Sequence, residues 1–173
     1  MRALAADEVA AAIQPPDPAA LLRLGQRAGR LGYLDTAIAA LERVVEMESP
    51  AGSGGLVGPA LRSLIELARE RYPARVTSYL ERLVAVEPAD AEVHRALIRL
   101  YLREGRSRRA LQQMESLAAV LASTGRRVEA AACLREALAI EPWNESLRRA
   151  LAHISASGGA AAEDHQNTQG EDR

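Results

Sequence analysis

Six arginines, Arg95, Arg99, Arg103, Arg106, Arg108 and Arg109, fall within fifteen residues and are opposed in that stretch only by Glu104. A guanidinium is a planar fork that grips carboxylate or phosphate through paired hydrogen bonds. Arg95 and Arg99 are four residues apart, one turn along the same face of a helix. Arg149 and His153 repeat that spacing near the C-terminus. An acidic peptide or a phosphate group is the ligand such forks suit. A solvated face followed by an arginine-rich turn is the plainer reading. All 22 basic residues are Arg, which a GC-rich coding sequence explains as simply as function does.

Other chemistry is poorly served. His94, His153 and His165 are far apart in sequence, and no metal-ligand spacing or nucleophile elbow is visible. Gly52-Ser53-Gly54-Gly55 lacks the Lys of a phosphate loop and follows no strand. Cys133 is the single cysteine and sits on an apolar helix face with no activating base nearby, as a small core residue would. No enzymatic activity, metal or cofactor is expected. Nucleic-acid binding would need a basic stripe with stacking aromatics. Tyr101 is the one aromatic among these arginines and is better used as core, and the net charge is only −1.

The elements that must carry these residues are helices. Apolar residues make up 48% of the chain, aromatics only 3%, and Phe is absent. Ala and Leu dominate, which favours helices in close approach over a β-sandwich. Apolar residues at spacings of three and four, with Gly and Pro between, predict helices over 2–13, 18–30, 33–48, 57–70, 73–86, 91–104, 107–123, 126–140 and 145–155. Leu21, Leu24, Ala37, Leu41, Leu61, Leu64, Leu80, Leu97, Leu121 and Leu134 are candidate core. In 126–140 the apolar positions are Val128, Ala131, Ala132, Leu134, Leu138 and Ile140. Asp17-Pro18 and Asp90 are expected helix starts. The stretch 50–56, with three glycines and a serine, is either a lengthened loop between repeats or a hinge that lets the first repeat move. After Ser155 the chain turns to Ser, Gly, Ala, Gln, Asn and acids, which predicts a disordered acidic tail over 156–173. That tail is a second, internal candidate to meet the arginines.

Three stretches share one pattern of about 34 residues. Leu24-Gly25, Gly32, Ala37, Leu41 and Pro50 mark the first; Leu67, Val76, Leu80 and Pro88 the second, without a turn Gly; Leu97, Tyr101, Gly105, Ala110 and Met114 the third. Gly125, Ala130, Leu134, Ala137 and Pro142 match the second half of a fourth. This resembles the tetratricopeptide repeat family over roughly 18–154. Pro88 and Pro142 are 54 residues apart, so either helix 107–123 serves two neighbours or the repeat phase shifts there.

The resemblance implies an all-α, right-handed α-solenoid of antiparallel helix hairpins, about nine helices in all. It implies a lead-in over 1–17, a repeat domain over 18–155 and a capping helix at 145–155. It also implies a protein–protein interaction scaffold or adaptor that holds a partner peptide in a groove lined by the first helix of each repeat. Some members clamp a C-terminal carboxylate with Lys, Asn and Arg. Leu22, Gln26, Leu61 and Ile65 stand at those places here, so the clamp is not carried over. Arg95, Arg99, Arg103 and Arg149 are the candidate partner-binding residues, for a partner of acidic character. The alternative is a regulatory helical-repeat module of a transcription-related or nucleic-acid-associated complex, although no winged helix accompanies it. No apolar run reaches the length of a signal peptide or membrane span, so a soluble, cytoplasmic protein is expected.

Overall fold

The computed structural model describes residues 17–47 and 55–163, and every regular element among them is an α-helix. They are α1 (Pro18–Arg30), α2 (Leu34–Met47), α3 (Val57–Arg71), α4 (Pro73–Val86), α5 (Ala91–Arg103), α6 (Ser107–Ser123), α7 (Arg127–Ile140) and α8 (Glu145–Glu163). Eight of the nine expected helices are thus present. The ninth, over 2–13, lies outside the described residues, as do most of the glycine-rich loop and the chain beyond 163. The last helix continues past 155 to Glu163, where the sequence predicted disorder from 156. Ala160, Ala161 and Ala162 are strong helix formers and extend it.

Helix ends follow local chemistry. Asp17 accepts hydrogen bonds from the Ala19 and Ala20 amides at 3.0 and 3.2 Å, with Pro18 in the first turn. Asp90 caps α5 in the same way through Glu92 and Val93. Three turns close identically. The Tyr33 amide donates to the Ala28 carbonyl, Arg106 to Tyr101 and Arg126 to Leu121, at 2.8–2.9 Å. Each needs a left-handed residue in between, and Gly32, Gly105 and Gly125 supply it with φ of 82°, 71° and 79°. The α3–α4 turn has no glycine. It pivots on Tyr72, and Pro73 opens α4.

The chain divides after Pro88 into two compact units. In the first unit each helix packs on the next, and α1 also touches α3. Its core holds Leu41, Leu61, Leu64 and Leu83, essentially without solvent contact. In the second unit α5, α6, α7 and α8 pack in sequence, and α6 also touches α8. Leu97, Leu121, Leu134 and Leu147 are fully buried there.

The second unit settles the repeat register. Glycine turns join both α5 to α6 and α6 to α7, so α6 ends one hairpin and opens another. Leu117, Ala118 and Leu121 of α6 are buried, with Ala130, Leu134 and Ala137 facing them from α7. Together with Gly125 and Pro142 they complete the repeat that the sequence showed only by half. Ala118 precedes Ala130 by the spacing at which Gly25 precedes Ala37. Three of the apolar positions expected on α7 are exposed: Val128 at 83%, Ile140 at 39%, and Ala132. All three lie off the stripe formed by Ala130, Leu134 and Ala137.

Candidate functional site

α5 and α7 flank α6 in the second unit without direct backbone contact, and a groove of about 410 Å³ runs between them. Met114, Leu117 and Leu121 of α6 form its floor. Arg95, Ile98, Arg99 and Leu102 of α5 form one wall, at spacings of three and four that place them on one helix face. Glu129, Ala132, Cys133 and Glu136 of α7 form the other, each 34 residues after its counterpart on α5. One repeat period thus sets Arg95 against Glu129, while Arg99 falls opposite Cys133 and Glu136 opposite Leu102. Ala132 leaves room opposite Ile98, and Leu102 is 42% exposed at the lip.

The charged levels differ. At the first, Arg95 donates to Glu129 at 3.1 Å and also pairs with Glu92. Arg126 adds a two-pronged bond to Glu129, at 2.7 and 2.6 Å. That bond, reinforced by the charges of Arg126 and Arg95, holds the Glu129 carboxyl below the usual carboxylate range. This end of the groove is bridged and internally neutralised. One turn on along α5, Arg99, and further along α7, Glu136, make no hydrogen bond or ion pair with any described residue, and Arg99 is exposed.

Cys133 is buried, as its apolar surroundings implied, and donates weakly to the Met114 carbonyl at 3.5 Å. Burial, reinforced by Glu136, pushes its thiol up to about 11. It is therefore an unreactive wall of the groove at neutral pH. No cluster of three or more His, Cys, Asp or Glu among the described residues is placed to hold a metal. None of the described helices is long and apolar enough to cross a membrane.

The arginine run does not form one patch. Arg95 and Arg99 line the groove. Arg103 is exposed at the far end of α5 and is not part of the lining. Arg106 pairs with Glu104 at 3.3 Å, and Arg109 lies over the ring of buried Tyr101. Arg149 is on α8, paired with Glu145 at 2.8 Å and away from the groove, as is His153. Sequence reasoning missed Glu129, Ala132 and Glu136. The 34-residue offset from the arginine helix was the signal that marks them. A second recess, in the first unit, is lined by Leu34, Glu66, Leu67, Glu70 and Arg71, three of them charged.

No protein-family model matches the chain, and no curated protein matches it. Solved structures do. A crystal structure of MamA aligns over 93% of this chain and 90% of its own, with a TM-score of 0.52 at 17% identity. A thermophilic TPR protein of Thermus thermophilus, TTC0263, aligns over 89% of each chain at 27% identity, with a TM-score of 0.38. The likeness to the MamA structure is one of fold. With the glycine turns, buried alanines and α6–α7 motif in place, this chain is a helical-repeat protein of tetratricopeptide-like fold.

Proposed function

We propose that the protein is an interaction scaffold or adaptor and that the groove of its second unit receives a peptide segment of a partner protein. The observation that carries this reading is the groove itself: an apolar floor of Met114, Leu117 and Leu121, with the small, exposed Ala132 and both arginine and glutamate in its walls. Apolar contacts in such a site supply affinity, and a few polar groups orient the ligand. Arg99 is the orienting arginine. Arg95 is already held by Glu92 and Glu129 and serves to bridge the walls. The partner chemistry this supports is an apolar anchor beside an acidic group, not a purely acidic chain.

Peptide display on the immobilised protein tests the reading, followed by anisotropy with the selected peptides. Selected peptides are expected to bind wild type and to lose at least tenfold in affinity on Ala132→Trp, which fills the groove from an exposed position. Arg99→Glu is expected to weaken peptides that carry an acidic residue, with the melting temperature unchanged. A selection that returns no peptide sensitive to Ala132→Trp overturns the reading.

A further inference from the structure

We infer that the groove reads the charge of both edges of its ligand: it takes an amphipathic helical segment with an acidic edge toward α5 and a basic edge toward α7. This rests on the groove being the peptide site proposed above. Three observations carry it. First, both walls present residues at positions i, i+3, i+4 and i+7, over two turns or ~10 Å of helix. A ligand helix offers side chains at that same interval, so one apolar residue per turn meets Leu102, Ala132 and the α6 floor between the walls. Secondly, the charges are segregated by wall, with arginine on α5 and glutamate on α7. Thirdly, the bridge of Arg95, Glu129 and Arg126 takes one level out of play. Arg99 and Glu136 remain, on opposite walls and about one turn apart in register, unpaired with any described residue.

Charge complementarity then commits the occupant. A uniformly acidic peptide satisfies Arg99 but is repelled by Glu136. A uniformly basic one has the opposite fault. A segment with its charges divided lengthwise satisfies both edges at once. Like-charge contact at a rim discriminates against wrong partners even where the matching pair adds little affinity.

The test uses the tightest peptide from the display selection as an apolar frame, stapled as a helix. It is made in three forms: Glu on one edge and Lys on the other, Glu on both edges, and Lys on both edges. Anisotropy is measured for each against wild type, Arg99→Glu and Glu136→Arg. Wild type is expected to prefer the divided peptide by about threefold or more over either uniform one, the scale of exposed ion pairs. Arg99→Glu is expected to shift the preference to the all-Lys form, and Glu136→Arg to the all-Glu form. One unchanged ranking in all three proteins, with binding still lost on Ala132→Trp, overturns the charge reading and leaves the groove standing. Binding that ignores Ala132→Trp removes the groove itself, and this inference with it.

Discussion

Gly25 is where the first hairpin comes closest to itself. A Cβ built there lies 2.6 Å from Leu41 Cγ and 3.1 Å from the Ala37 carbonyl oxygen. Leu41 is completely buried. Gly25→Ala gains up to about 1 kcal/mol of helix propensity but overpacks the core at a cost of roughly 1–3 kcal/mol. The expected result is a net loss in urea denaturation, larger for Gly25→Val. In the second unit Ala118 fills the equivalent place and is 1% exposed, so Ala118→Gly should destabilise through lost propensity and packing. Cys133 makes a pH prediction. Its folded thiol titrates at about 11 against an ordinary 9.0. The stability it contributes is complete below pH 9 and is lost as pH rises toward 11, because the unfolded chain ionises first. Iodoacetamide should therefore alkylate native protein far more slowly than urea-unfolded protein at about pH 8, just below the ordinary thiol range. Equal rates would place the thiol in solvent.

Among the helices, side chains link elements that the backbone leaves apart. In the first unit Tyr79 and Arg75 of α4 donate to Glu42 of α2 at 2.5 and 3.3 Å, and Tyr72 donates to Asp35 at 2.9 Å. In the second, Glu129 ties α7 to α5 through Arg95 and to its own first turn through Arg126. Glu129 has a lowered folded pKa, so its contribution is present above the ordinary carboxylate range and is lost as pH falls through the folded value. Glu129→Gln should lower the melting temperature slightly at neutral pH and low salt. The difference from wild type should fade as pH falls through the folded value of Glu129, which lies below the usual carboxylate range, and shrink in high salt because the pair is exposed. A difference that persists in acid would mean that Glu129 acts by packing and not by charge. Helix positions were legible in the sequence because Gly32, Gly105, Gly125, Pro73, Pro88 and Asp90 punctuate them. The double role of α6 was half legible. Gly125 and Ala130 mark one half of a repeat, whereas Leu117-Ala118 lacks the glycine of the Leu24-Gly25 pair that marks the first. The groove was legible on its arginine wall alone. Its acidic wall is a tertiary fact, made by bringing residues 34 apart in sequence to opposite sides of α6.

At the scale of the whole chain, the two compact units each carry a separate core, and every residue that lines the groove belongs to the second. Nothing in the groove's floor, walls or bridge is drawn from before Ala91. The second unit also has what a repeat array needs in order to end. α8 lays Leu147 and Ile154 against the core, while Arg148 and Arg149 face solvent. The fragment 89–173 should therefore fold alone as a helical domain with a cooperative melt, although a chain of that size buries a smaller fraction of its surface and is marginal. Its melting temperature is expected to fall below that of the intact protein while its peptide affinity stays unchanged. Circular dichroism and anisotropy on the fragment, with Ala132→Trp as control, separate those two quantities. A fragment that folds but no longer binds would show that the first unit contributes to recognition, and the groove would then be only part of the site. A fragment that binds as the full chain does assigns peptide recognition to α5–α8 and leaves α1–α4, with its own recess at Glu66 and Glu70, for a different contact.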